Sequence, residues 1–255
     1  SVALFDKNRP LGRKVRITGK GRCNVTNNCS VEEVVASCPR GGRFLYGALS
    51  AFSPADTMAF FEALGVPLKT ERGRRVFPVS DNAHDIAGAL ERYASGVQVI
   101  RETVTAVLTE EGRAVGVQTG QGNYQGRAVL LACGGASYPG TGSNGDGYRL
   151  AAAVGHTIVT PTPSLVPLVE RGEWCRRMMG LSLRNCGVRV TQRGKKKPVY
   201  EDFGELLFTH FGLSGPTILS ASAHLRPMEP GKYTVHIDLK PALDWQQLDA
   251  RLLRE

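Results

Sequence analysis

The sequence predicts an α/β protein that is followed by a more β-rich part. Residues 2–6, "VALFD", form a compact apolar run closed by an acid, which is typical of a buried strand. Residues 124–155 run from an apolar strand, Ala128–Ala132, through a loop with many glycines into a helix. Beyond this helix, prolines and β-like segments replace the pattern. We therefore expect two domains, residues 1–160 and residues 161–255.

Local signals predict the helices and hairpins of the first domain. Ser53 and Pro54 are typical of a helix N-terminus, because a serine side chain caps free N–H groups and proline fits the first helical position. Asp81 is expected to cap a second helix in the same way. Glycine-containing turns at residues 71–73 and 110–112 each join two strand-like runs and predict hairpins.

The second domain begins with a stiff connector and continues with strands. Three prolines within residues 161–167 restrict the backbone of that segment. Residues 188–191 and 233–239 have the composition of β-strands. Gly215 and Pro216 are typical of the start of a helix.

Charge and composition indicate which kinds of partner the protein binds and where in the cell it is located. The formal net charge of +9 favours an anionic partner, such as a nucleotide, RNA or an acidic substrate. The densest basic run, "RGKKK" at residues 193–197, is interpreted as a solvated turn in preference to a nucleic-acid patch, because no aromatic residue is interleaved with it. Apolar runs are too short to span a membrane. Six cysteines without zinc-site spacing or a secretory signal predict reduced thiols, a cytoplasmic location and no metal site.

Two glycine-rich loops, residues 18–27 and 133–147, are the candidate ligand-binding segments. Glycine reaches left-handed backbone conformations and lacks a Cβ atom that would hold a ligand away. The second loop lies between a strand and a helix, which is the context in which backbone N–H groups approach a phosphate or a ring system. We expect the two loops to converge on one hollow. The alternative is that both are irregular connections in an α/β sheet.

Four side chains near these loops each allow two interpretations. Arg22 could pair with a pyrophosphate or a carboxylate, or it could be a solvated loop residue. Cys23 could be redox-active, but a small packed thiol is the favoured interpretation. Asn24 could bind a heterocycle or hold the loop by side-chain hydrogen bonds. Asp6 could accept a ribose hydroxyl in a dinucleotide fold, or it could be an ordinary polar residue after a strand.

Three longer motifs resemble one known family. They are "GRKVRITGKGRCNVTN", "ACGGASYPGTGSNGDGYRLAAAVGHTIVTPTPSLVPL" and "GELLFTHFGLSGPTIL", and they occur in this order. Together they resemble the HI0933/YhiN-like flavoproteins, also called BaiN-like NAD(P)/FAD-dependent oxidoreductases. The resemblance implies a Rossmann-like FAD-binding domain interrupted by an inserted, mostly β domain. It also implies a fragment, with the FAD-binding domain incomplete, because the family's N-terminal G-x-G-x-x-G and its C-terminal FAD segment are not found.

The resemblance further implies a set of cofactor-binding residues but no catalytic residue. The set comprises Asp6, Gly19, Gly21, Arg22, Cys23, Asn24, Val104, Ala132, Gly134, Gly135, Gly142, Asn144, Gly145 and Asp146. The implied activity is hydride transfer through FAD, with NAD(P)H as a candidate reductant and a small molecule as the substrate. An RNA-binding or RNA-modifying flavoprotein is the first alternative, suggested by the positive charge. A flavin-bound redox sensor that uses Cys23 is the second.

Overall fold

The computed structural model describes residues 1–254, which form two compact units. The first is Ser1–Pro161 and the second begins at Thr162. The first unit mixes helices with parallel and antiparallel strands, and the second is built around an antiparallel sheet. The predicted α/β class is confirmed. The assignment of the two units to a cofactor-binding domain and an inserted domain stays a prediction.

The first unit contains eight strands and six helices within its described residues. The strands are β1 (Ala3–Phe5), β2 (Thr26–Asn27), β3 (Leu68–Glu71), β4 (Arg75–Pro78), β5 (Gln98–Ile100), β6 (Val104–Glu110), β7 (Arg113–Thr119) and β8 (Gly122–Gln125). The helices are α1 (Arg13–Ile17), α2 (Val31–Ser37), α3 (Gly42–Ala51), α4 (Pro54–Ala63), α5 (Ala83–Tyr93) and α6 (Asp146–Ala153).

These strands form three small sheets. Strands β1 and β5 pair in parallel, with Leu4 opposite Val99. Strands β2, β4 and β3 form an antiparallel sheet with β4 in the centre, and β6, β7 and β8 form an antiparallel meander. Both predicted hairpin turns are confirmed, because they join β3 to β4 and β6 to β7. A core formed by Cys23, Phe61, Ile86 and their neighbours lies among α4, α5 and the loop after α1.

Two predictions about strands were wrong, namely the burial of the first strand and the strand at residues 128–132. Strand β1 forms and pairs with β5 alone within residues 1–254, but Val2 and Leu4 are exposed rather than buried. Residues 128–132 form no strand, since their backbone has no ladder partner in the described chain, and Leu130 is 91% exposed. A strand is stable only when its N–H and C=O groups are paired, so an apolar run alone is not sufficient.

One helix cap was predicted correctly and the other was displaced by one residue. Ser53 caps α4, with its hydroxyl accepting from the N–H of Asp56 while the Asp56 carboxylate accepts from the N–H of Ser53. Asp81 does not cap α5. The side chain of Asn82 accepts from the N–H of His84 instead. Asp81 adopts a left-handed conformation, and its carboxylate binds cations described below.

The second unit is built around one five-stranded sheet. Its strands are β9 (Leu168–Val169), β10 (Ser182–Gln192), β11 (Tyr200–Phe208), β12 (Gly212–Ser214) and β13 (Tyr233–Asp238), in the order β13-β10-β11-β12-β9. Its helices are α7 (Trp174–Arg177), α8 (Pro216–His224) and α9 (Trp245–Leu252). Alternate residues of β10, including Cys186, Val188 and Val190, face a core that contains Ile218 of α8. The predicted helix start at Gly215-Pro216 is confirmed.

Within residues 1–254, no helix is both long enough and apolar enough to pass through a lipid bilayer.

The core of the second unit gives a direct test of packing. Ile218 is fully buried between α8 and the sheet, and Leu239 is 61% exposed. We expect Ile218→Ala to lower the free energy of unfolding by about 2–5 kcal/mol, because it removes buried methylenes and leaves a cavity. Leu239→Ala is the matched control and should change it by less than about 0.5 kcal/mol. Urea denaturation measures both. Equal effects of the two substitutions would contradict this core.

Candidate functional site

The second glycine-rich loop is an ordered segment with several left-handed residues. Tyr138 has a φ of 55°, and Gly142 and Gly145 have φ of 93° and 86°. Hydrogen bonds within the loop close it, including one from the N–H of Gly145 to the carbonyl of Gly135 at 3.2 Å. Helix α6 follows directly, and Asn144 accepts a hydrogen bond from the N–H of Asp146 at its first turn. Glycine at positions 142 and 145 therefore suits the left-handed conformation of the loop at those positions.

This loop also presents a run of free backbone donors. Within the described chain, none of the six N–H groups from Cys133 to Tyr138 donates a hydrogen bond. Gly134, inside the run, is left-handed with a φ of 71°. Successive amides around a left-handed residue can form a concave anion-binding surface. Ala132, expected in the same site, lies exposed at the start of the run. The predicted residues Gly134 and Gly135 thus lie in a segment suited to binding a phosphate.

Two lysines from the beginning of the chain hold the loop. The Lys7 ammonium donates to the Asp146 carboxylate at 2.7 Å. The Lys14 ammonium donates to the carbonyl of Ser137 at 3.0 Å and to its hydroxyl at 2.7 Å, and it also reaches the hydroxyl of the buried Ser143 at 3.5 Å. The hydrogen bond from Lys7 is the main reason that the pKa of Asp146 is lowered. Asp146, predicted to bind the cofactor, is therefore also a structural ion-pair partner.

The acid at the end of β1 orders the turn that follows it. One carboxylate oxygen of Asp6 accepts from the N–H of Asn8 at 2.8 Å and from its side-chain amide at 2.9 Å. No group within residues 1–254 donates to the other oxygen. The Asn8 side chain lies against the backbone of Gly142, where an added Cβ would come within 2.5 Å of it. Only glycine at position 142 allows this approach, and Asp6 retains one free acceptor.

The beginning of β6 is tied to the same region. The Arg101 guanidinium donates to the carbonyl of Asn8 at 2.6 Å, and the Arg149 guanidinium of α6 donates to the carbonyl of Thr105 at 2.9 Å. Val104 is the first residue of β6. The structure therefore brings three predicted elements together: the turn after β1, the start of β6 and the loop before α6.

The first glycine-rich loop, predicted as a candidate ligand-binding segment, contains local structure of its own. Helix α1 runs directly into a 3₁₀ turn at Thr18–Gly21, and β2 follows. The N–H of Cys23 donates to the carbonyl of Thr18 at 3.0 Å and so closes the turn. Left-handed φ values occur at Gly19, Lys20, Gly21 and Cys23. Such a conformation is strained for residues other than glycine and is concentrated at functional sites.

Arg22 is held by protein groups. Its guanidinium donates to the carboxylates of Glu71 and Asp81 and lies 4.2 Å from the ring centroid of Phe77. Lys69 also contacts Asp81, at 2.7 Å. The hydrogen bond from Arg22 is the main reason that the pKa of Glu71 is lowered, while Lys69 followed by Arg22 lowers the pKa of Asp81. Arg22 thus links the first loop to the β3–β4 hairpin, and its contact with a cofactor stays a prediction.

The neighbours of Arg22 also hold the loop in place. Cys23 is 5% exposed, is not in a disulfide and packs in the core, as the favoured interpretation proposed. The Asn24 side-chain amide, with its nitrogen facing the strand, donates to the carbonyls of Val76 at 3.1 Å and Thr26 at 3.0 Å. Gly21 differs from both, because the direction that a Cβ would take is open, with no atom within 4 Å.

Helix α1 lies between the two loops. Lys14 in its first turn contacts the second loop, and its last residue, Ile17, leads into the first. Because helix α1 has five residues, its two ends lie about 7.5 Å apart. Two clefts lie elsewhere: one of about 820 Å³ borders β6–β8, and one of about 690 Å³ lies on the sheet of the second unit. The single hollow shared by both loops stays a prediction.

Comparison with known proteins gives a family and several relatives. The chain matches the model of the HI0933-like protein Rossmann domain over residues 1–218. It is 29% identical to a 3-dehydro-bile acid delta(4,6)-reductase of Clostridium scindens, over 97% of this chain and 60% of that protein. It is 28% identical to ribosomal RNA dihydrouridine synthases of Haemophilus influenzae, over 94% of this chain and 59% of that protein, and Escherichia coli, over 95% and 58%.

This chain belongs to the HI0933-like Rossmann-domain family. The resemblance based on three motifs is thereby confirmed. The chain spans about three-fifths of the length of the relatives named above.

The sequence analysis did not identify the two lysines that hold the second glycine-rich loop. Lys7 and Lys14 bind partners more than a hundred residues away, and no local pattern distinguishes them, apart from their place in a basic segment.

The sequence analysis also did not identify Glu102. One of its oxygens accepts from the Tyr124 hydroxyl at 2.9 Å, which raises the pKa of Tyr124, and the other is buried without a partner within residues 1–254.

Lys14 should determine the order of the second loop. We expect Lys14→Met to speed amide hydrogen exchange across residues 135–147, because it removes the hydrogen bonds to Ser137 and Ser143. Arg13→Met is the matched control, since Arg13 is exposed and its side chain has no hydrogen-bond or ion-pair partner within the described chain. Hydrogen exchange followed by mass spectrometry measures both. Unchanged exchange in the Lys14 variant would show that the loop is held by other contacts.

The Arg22 cluster should make stability depend on acid pH. Glu71 and Asp81 have folded-state pKa values below their ordinary 4.5 and 3.8. Their stabilisation is therefore present above the ordinary values and is lost as the pH falls through the lowered ones. We expect Arg22→Met to reduce the loss of stability between about pH 6 and pH 3, measured by urea denaturation. Arg43→Met, at an exposed arginine without an ion pair within the described chain, should keep the wild-type profile.

Proposed function

We propose that the protein is a flavin-dependent oxidoreductase whose two glycine-rich loops hold FAD. The observation that carries the proposal is the run of N–H groups from Cys133 to Tyr138, which have no partner within residues 1–254 and suit a pyrophosphate. Membership of the HI0933-like family supports the same proposal. When bound, FAD would supply the centre that accepts and donates hydride.

The residues present fit this cofactor. The free carboxylate oxygen of Asp6 is a suitable acceptor for a ribose hydroxyl. The open space beside Gly21 leaves the backbone of the first loop accessible to a ring system. Lys20 is exposed and unpaired within residues 1–254, so it is the cation that this loop leaves available to an anionic ligand. Arg22 would act through the loop, because its guanidinium already binds two carboxylates.

We further propose a reduction, with NAD(P)H as the source of electrons. The names of the relatives indicate reactions that add hydrogen to a substrate, a bile acid in one case and uridine of ribosomal RNA in the other. A small molecule is the first candidate substrate. RNA is the second, because the net charge of +9 favours a polyanion.

A redox sensor based on Cys23 has less support. The Cys23 thiol is buried in the core and is not in a disulfide. Redox-sensing cysteines are accessible and are often adjacent to a second thiol.

The flavin proposal can be tested at Gly21. In the product of the complete gene, Gly21→Leu would place a side chain in the open space that we assign to the cofactor. We expect it to weaken flavin binding by about tenfold or more. Gly65→Leu is the matched control, because Gly65 is also left-handed and open but lies at the end of α4. Flavin absorbance after gel filtration, followed by reduction with NADH or NADPH, measures both. Equal flavin retention in the two variants would refute the assignment.

A further inference from the structure

The β10–β11 hairpin of the second unit ends in an ordered basic tip, residues 193–197. The N–H of Arg193 donates to the carbonyl of Lys232 at 2.9 Å, and the N–H of Lys195 donates to the carbonyl of Gln192 at 3.0 Å. Gly194 is left-handed, with a φ of 82°. The backbone of the tip is thus fixed by hydrogen bonds to β10 and to the turn before β13. Its side chains therefore extend from a backbone of fixed conformation.

The four cations of this basic tip have no acidic partner. Arg193, Lys195, Lys196 and Lys197 are exposed, and none forms an ion pair within the described chain. The surrounding sequence is equally one-sided, since residues 174–200 contain eight Lys and Arg residues and no Asp or Glu. Uncompensated charge at one place attracts a polyanion more strongly than the same charge distributed among ion pairs.

The neighbouring strands do not share this excess. On the outer face of the sheet, Arg189 lies opposite Glu201 on β11 and opposite His236 on β13. Tyr200 and Asp202, at the beginning of β11, bind each other at 2.7 Å. Acidic residues therefore accompany the cations along the strands, whereas the tip carries cations alone.

We propose that the basic tip binds the phosphate backbone of an RNA substrate. This inference rests on the RNA alternative of the proposed function, which the names of two relatives support. A contact with phosphates needs no interleaved aromatic residues, because it depends on the charge of the backbone and not on stacking with bases. A lipid surface fits less well, since residues 193–197 include no apolar side chain that could enter a bilayer.

The test is a salt titration with a labelled 20-nucleotide single-stranded RNA and the product of the complete gene. We expect the variant with Lys195, Lys196 and Lys197 all changed to Gln to bind more weakly. The slope of log K against log salt should fall by about 2, since each lost phosphate contact contributes about 0.7. The matched control changes Arg72, Arg92 and Arg127 to Gln. It removes the same charge from exposed side chains of the first unit that have no ion pair within the described chain, and it should keep the slope.

Each other result overturns the proposal. An unchanged slope in the tip variant excludes phosphate contacts there, and equal losses in the two variants indicate net charge without a site. Loss of binding to vesicles rich in phosphatidylserine, with RNA binding retained, would indicate a lipid surface. Flavin content is measured on the same samples. A protein that retains flavin without tip-dependent RNA binding refutes this inference alone, and one that binds RNA through the tip without flavin refutes the proposed oxidoreductase alone.

Discussion

The contact of Lys14 with the loop before α6 is the interaction on which the candidate site depends. Its ammonium binds both the carbonyl and the hydroxyl of Ser137. A glycine-rich loop loses much conformational entropy when it is ordered, so it needs anchors outside its own sequence. Lys14 supplies one and the Lys7–Asp146 pair supplies another. These anchors hold the middle and the C-terminal end of the segment, while the N–H groups from Cys133 to Tyr138 have no hydrogen-bond partner within the described chain.

The two loops achieve a fixed conformation by different means. The second loop is held by cations from another part of the chain, whereas the first is held by its own side chains. Cys23 is buried in the core, and Arg22 joins a cluster of two cations and two carboxylates with Glu71, Asp81 and Lys69. Partly exposed ion pairs of this kind contribute little energy individually, so the cluster acts chiefly by setting the geometry of the strained turn. The side chains of the first loop serve its structure, and its backbone is left for a ligand.

Local structure could be predicted from the sequence, but pairing between distant segments could not. Ser53 was identified as a cap because the whole capping signal lies within four residues. Asp81 and Asn82 are both suitable caps, but the Asp81 carboxylate binds Lys69 and Arg22, and Arg22 lies 59 residues away in the sequence. Residues 128–132 have the composition of a strand, yet a strand also requires a neighbour that its own sequence does not specify. Lys7 and Lys14 were missed for the same reason, since nothing local distinguishes them from other basic residues.

The same distinction applies to the basic tip, whose sequence predicts a solvated turn. The sequence shows five residues with four cations, which describes many solvated hairpins. The structure adds that Arg189, a few residues earlier, faces Glu201 across the ladder, while the four cations of the tip form no ion pair within the described chain. Strand pairing therefore separates the compensated cations from the uncompensated ones. Because association with a polyanion depends on uncompensated charge, the ladder register gives the tip a role that composition alone does not indicate.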